Sequence, residues 1–458
     1  GASKDGAGKD GASKDGAMKG FRIRQEVNGI TEPTGKTWFW ELEAAVVEAD
    51  RCIQCGTCVA VCPSNSIGVN EDTFLPELVK MCTGCSLCWD FCPRGGLRYE
   101  ALWPPSTPVA ITAPGDVAGD VTTSVDLDAG DPLLTERVVR ADAADPYWTI
   151  TGGPPGDGLG AVLDSYAVRA GKRPDDAQDG GVVSALLIAA LAAGDIDGAL
   201  VSKPSSDPEE PWKGIPTVAT TAQEVLDAAG SFYNQTMALA GLDLTSYNLP
   251  AKPRLAVVGT PCEIQGIRAM QSRRWSTGVH RVDAIVLTIA LLCTKSFDYE
   301  GLMLRKLRDE RRIDLDRVSK VDVIHGRMIV EYRDGRVAVD EPVKDFHDVA
   351  LKGCDECADF LGRSADLSVG SVGSMEGWSS VLVRTERGRV ALDNARGRLD
   401  FRELDNPAAL VKLDNYDKKV AVKSLQRELD PDGPLFIDFE EHLRTYSGTD
   451  RAPVVIDR

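Results

Sequence analysis

No apolar run in this 458-residue chain reaches the ~18–20 residues of a membrane-spanning helix. The longest, around Ala284–Cys293, has the length of a buried strand or a short helix, so direct membrane insertion is not expected. Basic charge is also short: 52 Lys and Arg stand against 70 Asp and Glu, a formal charge of −18. That balance argues against nucleic acid and against an anionic membrane surface as partners. Histidine is scarce, and His280, His325, His347 and His442 show no metal-ligand spacing. No G-x-G-x-x-G follows a strand and opens a helix, so a Rossmann dinucleotide site is unsupported. No export signal opens the chain, which argues against a secreted disulfide framework. What remains is 43% hydrophobic and 27% charged, a globular chain of about two to four domains.

Cysteine is what the chain has. Its 12 cysteines are expected in a reducing, cytoplasmic compartment, where thiolates stay available to metal. Eight fall in two identical runs, Cys52, Cys55, Cys58, Cys62 and Cys82, Cys85, Cys88, Cys92, each closed by proline (Pro63, Pro93). C-x2-C-x2-C-x3-C-P written twice is the pattern of a ferredoxin-type domain with two [4Fe–4S] clusters. The fourth cysteine of each run ligates the other cluster in such pairs, so one set is Cys52, Cys55, Cys58 and Cys92, the other Cys82, Cys85, Cys88 and Cys62. Paired structural zinc sites account for CxxC pairs but not for two such runs with terminal prolines.

Around these runs the chain divides by texture. Residues 1–20 repeat Gly, Ala, Ser, Lys and Asp and are expected to be a flexible tail or linker. A two-cluster domain is expected over 21–100, entered by a short helix at Glu41–Asp50, with turns at Gly56 and Gly84 aiming N–H groups at sulfur. The acidic, Pro/Gly-rich stretch 101–160 is a linker or insertion. Over 161–390 the pattern turns α/β: helices at Val182–Ala193, Ala222–Leu226 and Ile264–Met270 alternate with apolar strands at Ile196–Ser202, Arg254–Val258 and Asp283–Leu292. A hairpin is expected near 320–340, turning at Gly326 and at Asp334–Gly335. Residues 391–458 are set apart as a C-terminal extension. The fold class expected is α+β to α/β, a ferredoxin-like domain joined to a mixed-sheet domain.

Four cysteines lie beyond the double run. Cys262 and Cys293 each follow an apolar strand, and Cys354 and Cys357 form a second kind of CxxC. Neighbouring strand ends can bring the four together on a third [4Fe–4S] cluster; a structural zinc and a thioredoxin-like CxxC are the alternatives. Clusters move single electrons, and flavin is the usual agent that splits a hydride pair. The best local site for an anionic cofactor is Gln178-Asp179-Gly180-Gly181, where paired glycines precede a helix whose N–H groups point outward.

Six blocks make a more specific pattern: AQDGGVVSALLIAAL, GSFYNQ, VVGTPCEIQGIRA, LLCTKSF, KGCDECADF and ADLSVGSVGSMEGWSSVLVRT. In this order, over roughly 160–390, they resemble the family of coenzyme F420 hydrogenase/dehydrogenase beta subunits. With the ferredoxin domain fused ahead, the chain looks most like the electron-input subunit type of F420H2 dehydrogenase. The resemblance implies FAD, a third cluster on Cys262, Cys293, Cys354 and Cys357, and hydride exchange between F420 and the flavin. It implies cofactor contacts at Gln178, Asp179, Gly180, Gly181, Ser231, Tyr233, Thr260, Gly373 and Trp378. Lys295 is the first candidate for the acidic groups of F420, with Lys203, Arg254 and Arg384 as similar candidates. No acid–base residue is assigned.

The function expected is electron splitting, with a protein partner, acceptor or donor, beyond the ferredoxin pair. That partner is a membrane dehydrogenase complex, a hydrogenase or a soluble reductase; in the first case the chain is peripheral to the membrane. Alternatives are the F420-reducing beta subunit of a hydrogenase or formate dehydrogenase, and a non-catalytic iron–sulfur adaptor.

Overall fold

A computed structural model describes residues 24–27, 30–33, 38–85, 87–94, 158–160, 162–174, 177–242, 244–271, 281–357 and 359–425. The expected tail, nearly all of the 101–160 stretch, His280, His442 and residues 426–458 lie outside the described residues. Among the described residues no helix is long and apolar enough to cross a membrane.

Strands β1 (Arg24–Val27) and β2 (Ile30–Pro33) form an antiparallel pair. Helix α1 (Phe39–Leu42) follows and widens into a π turn over Glu43–Val47. Its apolar stripe is Phe39, Leu42 and Val46, all buried, so the helix starts earlier than the 41–50 expected and stops before Asp50, whose φ is 57°. Helix α2 (Thr57–Val61), the hairpin β3 (Ile67–Val69) with β4 (Pro76–Leu78), and helix α3 (Leu87–Asp90) complete the small N-terminal domain.

The large domain is built on one eight-stranded sheet. In chain order its parts are β5 (Asp164–Ala170), α4 (Val182–Ala193), β6 (Gly198–Pro204), β7 (Gly214–Ala219), α5 (Ala222–Asp227), β8 (Leu255–Gly259), α6 (Pro261–Gln271) and β9 (Ile285–Leu291). A π-helix at Glu300–Glu310 leads to a separate antiparallel sheet, β10 (Val318–Ile324), β11 (Arg327–Tyr332) and β12 (Val337–Pro342). The chain then returns through β13 (Leu367–Gly370), β14 (Ser379–Val383), α7 (Glu386–Asn394), β15 (Leu399–Arg402) and α8 (Pro407–Leu425). Strand order is β15-β5-β14-β13-β9-β8-β6-β7. The centre, β13-β9-β8-β6, is parallel, and the flanks are antiparallel. The sheet is mixed, as expected, and the 320–340 hairpin forms with its turn at Gly326.

Two corrections concern boundaries. Helix α6 begins at Pro261 rather than Ile264, because proline is well suited to the first helical turn; Cys262 is therefore a helix residue. The division at 390 cuts α7, and β15 hydrogen-bonds to β5 at the sheet edge. Residues 391–425 thus belong to the sheet domain. Helix α8 is held there by Arg363, which makes a bidentate buried bond with Asp414 at 2.8 Å on both oxygens.

The sheet carries a layer on each face. Leu186, Leu187, Val225 and Leu392, from α4, α5 and α7, cover one face with Val168, Ala256, Ile289 and Val381. On the other face Leu200, Leu255, Val257, Ile264 and Ile267 share a single core with Phe39, Val61, Trp89 and Phe91 of the N-terminal domain. The ferredoxin-like domain is therefore a packed layer, not a tethered module. The approach is close enough to require glycine. A Cβ on Gly266 would lie 2.4 Å from Thr57 Oγ1, and one on Gly353 would lie 2.1 Å from the Arg51 carbonyl.

Candidate redox site

Ligands in open α/β sheets gather at the carboxyl ends of parallel strands, and the chemistry-bearing residues collect there. A cleft is lined by the ends of β6 (Ser202), β8 (Gly259, Thr260), β9 (Leu291, Leu292) and β13 (Gly370, Ser371). Its mouth is formed by 177–184 at the start of α4 and by 228–236. Gly181 takes φ 68° at the helix N-cap, so the chain turns into α4 with its first N–H groups toward the cleft.

The sequence candidates divide around this cleft. Gln178, Asp179, Gly181, Ser231, Tyr233 and Thr260 line it. Gly180 stands just behind, its N–H donating to Ser379 Oγ at 3.1 Å. Tyr233 is fixed by donating to Asp322 Oδ1 at 2.7 Å while accepting from Val323 N at 3.1 Å. Burial, then the Asp322 charge, push the Tyr233 hydroxyl well above the ordinary tyrosine range, so it serves as a neutral wall group. Asp179 is also raised, by burial first, with Asp322 and Glu376 opposing its charge and Lys320 and Arg173 favouring it.

Lys295, Gly373 and Trp378 do not line the cleft. Lys295 pairs with Asp355, between Cys354 and Cys357, so its charge serves the cysteine set. Gly373 packs against Leu410 of α8. Trp378 is sandwiched by Arg169 and Arg402, at 4.6 and 4.1 Å from its ring centre. Among the other cations, Arg254 is held by Asp197 at the opposite end of β8. Arg384 is buried against Ser368 Oγ and the carbonyls of Leu159 and Leu361. Lys203 is exposed on β6 beside the lining residue Ser202.

Residues not singled out from the sequence make the inner wall. Glu263, buried in the first turn of α6, accepts from Thr260 N at 2.7 Å, Ala238 N at 3.1 Å and Gln235 Nε2 at 3.0 Å. Gln235 Oε1 accepts from Ser296 Oγ at 2.9 Å, and Ser296 N donates toward Cys354 Sγ at 3.5 Å. A hydrogen-bonded chain thus runs from the cleft to the second CxxC. Its sequence signal was Thr260-x-x-Glu263, the spacing of a capping box. Burial, against these hydrogen bonds, raises the Glu263 carboxyl to about 7.

The thiols fall into three sets. Cys58 is pushed well up by burial and by Cys55, Cys52, Cys92 and Cys88, in that order. Cys62, Cys82, Cys85 and Cys88 line one small cavity in the N-terminal domain. Cys92 thus stands with the first run and Cys62 with the second, the grouping that an exchange of fourth cysteines requires. The third set converges as well: Cys293 is raised by burial, then Cys354 and Cys357, and Cys262 by burial, then Cys55, Glu263 and Cys357. Cys55 therefore places the first set beside the third. Backbone N–H groups aim at sulfur in each ferredoxin set, from Gln54 to Cys52 at 3.4 Å, Ser66 to Cys62 at 3.2 Å and Gly84 to Cys82 at 3.3 Å. Gln54, at φ 51°, supplies the turn expected of Gly56, which instead precedes α2. No three His, Cys, Asp or Glu among the described residues close on a point at single-ion distances.

Residues fit the groups expected of them. Four half-buried cysteines brought together become thiolates at once only beside a cation that offsets their charge. In the cleft, the Nδ2 of Asn234 is buried in the wall without a hydrogen-bond partner, as a donor awaiting a cofactor acceptor would be.

Known proteins resemble this chain in both of its domains. Residues 165–243 and 253–407 match the N-terminal and C-terminal models of the coenzyme F420 hydrogenase/dehydrogenase beta subunit, and 45–98 match a 4Fe-4S dicluster domain. The chain is 34% identical over 232 residues to the coenzyme F420 hydrogenase beta subunit of Methanococcus voltae, spanning 50% of this chain and 80% of that one. It is 27% identical over 379 residues to an F(420)H(2) dehydrogenase subunit of Methanosarcina mazei, spanning 80% and 88%. A chain of the F420-reducing [NiFe] hydrogenase complex from Methanosarcina barkeri superposes with TM-score 0.55 at 28% identity, covering 60% of this chain and 94% of that one. An F420-type sheet domain with an iron–sulfur domain packed on its face is thus what the residues build, and the chain belongs to the oxidoreductase family of coenzyme F420 hydrogenase/dehydrogenase beta subunits.

Proposed function

We propose that this chain exchanges a hydride between coenzyme F420 and an FAD held in the cleft, and passes electrons singly through three [4Fe–4S] clusters to a protein partner. The observation that carries this is the continuous wall from cleft to thiols: Thr260, Glu263, Gln235 and Ser296 border the cleft and end on Cys354. FAD, when bound, accepts a hydride and releases its two electrons one at a time. The chain's own residues bind and orient. Gly181 and the α4 N-terminus would receive anionic groups, Asn234 would supply an amide donor, and Tyr233, locked by Asp322, walls the cleft. Glu263, tied down by four donors from Thr260, Ala238 and Gln235, fixes the turn that carries Thr260 and Cys262.

Cys262, Cys293, Cys354 and Cys357 are proposed as ligands of the cluster nearest the cleft. Cys52, Cys55, Cys58 and Cys92 hold the middle one, and Cys82, Cys85, Cys88 and Cys62 the outer one. The exposed Cys85 makes the outer set the point of exit. Flow in the reverse direction, as in a hydrogenase or formate dehydrogenase beta subunit, uses the same residues and depends on the partner's potential. The test is anaerobic reconstitution followed by F420H2-dependent dye reduction. The expected result is bound flavin, iron for three clusters and turnover. A chain carrying iron but neither flavin nor F420H2 oxidation sinks the enzyme reading in favour of an electron adaptor.

A further inference from the structure

Arg94 sits at the junction of two thiol sets and is buried. Its backbone N–H donates to Cys92 Sγ at 3.4 Å, on the N-terminal domain's side. Its guanidinium Nε reaches across to the Gly353 carbonyl at 2.7 Å, one residue before Cys354. The second guanidinium here, Arg51, donates to Glu356 from Nε at 3.1 Å and from Nη2 at 3.3 Å, and also to the Arg94 carbonyl at 2.8 Å. Glu356 lies between Cys354 and Cys357. Two buried guanidiniums and one buried carboxylate are thus set among half-buried cysteines. A cation is costly to bury unless anions stand beside it, and cluster–thiolate groups are anions of that kind.

We propose that Arg94 is a positioning residue for electron flow, a fixed positive charge that raises the reduction potential of the cluster on Cys262, Cys293, Cys354 and Cys357 and clamps that cluster's CxxC loop against the Cys92 side of the next. This rests on the third-cluster assignment above. The effect is electrostatic, with no bond made or broken. A cation beside a cluster stabilises the added electron, and in a buried setting a unit charge within several ångströms shifts a one-electron equilibrium by about tenfold or more.

The experiment is an EPR-monitored redox titration of the full chain, reconstituted anaerobically. In Arg94→Gln the third cluster should titrate at lower potential, its reduced-to-oxidised ratio at a fixed ambient potential falling at least about tenfold. The outer cluster, on Cys62, Cys82, Cys85 and Cys88, should not move. Arg94→Lys should recover most of the shift, since a purely structural role would not be rescued by charge alone. Glu356→Gln should move the same cluster the opposite way, and this variant carries the test if Arg94→Gln fails to load iron. Unmoved potentials in a chain holding about twelve irons, or a lysine variant shifted as far as the glutamine one, overturn the inference alone. A wild-type chain holding only about eight irons overturns the third cluster and this inference together.

Discussion

Gly180 tests how tightly the cleft wall is built. A Cβ there would lie 2.6 Å from the Val168 carbonyl oxygen, 2.9 Å from Ser379 N and 3.0 Å from Ser379 Oγ. Val168 and Ser379 are register partners of β5 and β14, so neither can retreat without opening the sheet. The 177–181 segment must move instead, toward the cleft. That motion strains two hydrogen bonds, Gly180 N to Ser379 Oγ at 3.1 Å and Ala170 N to Gly180 O at 2.7 Å. Overpacking of this kind costs about 1–3 kcal/mol, and weakening two bonds adds about 1 kcal/mol, so Gly180→Ala should destabilise by about 2–4 kcal/mol. The control is Gly194→Ala at the far end of α4, where nothing lies within 4 Å and φ is +71°. Only the left-handed penalty of about 1–2 kcal/mol applies there. Denaturant midpoints and flavin titration of the reconstituted chain separate the two. Gly180→Ala should also weaken FAD by about tenfold, the effect of 1.4 kcal/mol of strain felt at the wall, whereas Gly194→Ala should bind FAD like wild type. Equal midpoints and equal flavin affinity for the two variants refute the wall geometry.

Cys354→Ser should remove about four irons and slow dye reduction while flavin stays bound; an unchanged iron content makes the third cluster wrong. Asp179 is held above the usual carboxylate range by burial and by Asp322. A carboxyl raised in the folded state lowers stability as pH rises through its folded pKa. Asp179→Asn should therefore be more stable than wild type at neutral pH, with the gain shrinking on acidification. A gain that grows on acidification contradicts the sign. Asp414→Asn leaves the buried Arg363 without its bidentate partner and should cost about 3 kcal/mol. Hydrogen exchange should show the loss concentrated in α8; protection there as strong as in wild type would detach α8 from that ion pair.

How much was legible depended on where each constraint acts. The double cysteine run could be read because cluster ligation fixes spacing locally, and the match to a dicluster domain over 45–98 covers it. Helix α4 could be read to the residue because glycines in left-handed conformation bracket it at Gly181 and Gly194. The strands β8 and β9 announced themselves as apolar runs, yet their side-by-side pairing, which unites Cys262 with Cys293, is a property of the sheet. That Lys295 pairs with Asp355 could not be read, because only the fold brings the two together. Trp378 looked like a ring partner for a cofactor and is instead occupied by two arginines. Glu263 went unassigned because a buried glutamate next to a cysteine is unremarkable until Gln235, Ala238 and Thr260 are seen to point at it. The shared core between the domains has no local signature, since Leu255 or Val61 is apolar whichever side it faces.

That shared core has a consequence for how the chain can work. A ferredoxin module on a flexible tether would meet the third cysteine set by diffusion, and their separation would vary with the linker. Here Thr57 touches Gly266 of α6, and Arg51 presses on Gly353 beside Cys354. The same helix α6 carries Cys262 and Glu263 at successive positions, one raised by burial and then by the Cys55 thiol, the other lining the cleft. A single turn of helix thus joins the cleft to the third cysteine set. On the route proposed above, a displacement of α6 carries Glu263 of the cleft wall and Cys262 together. The exposed Cys85 then leaves the outer set as the place where the proposed partner meets the chain.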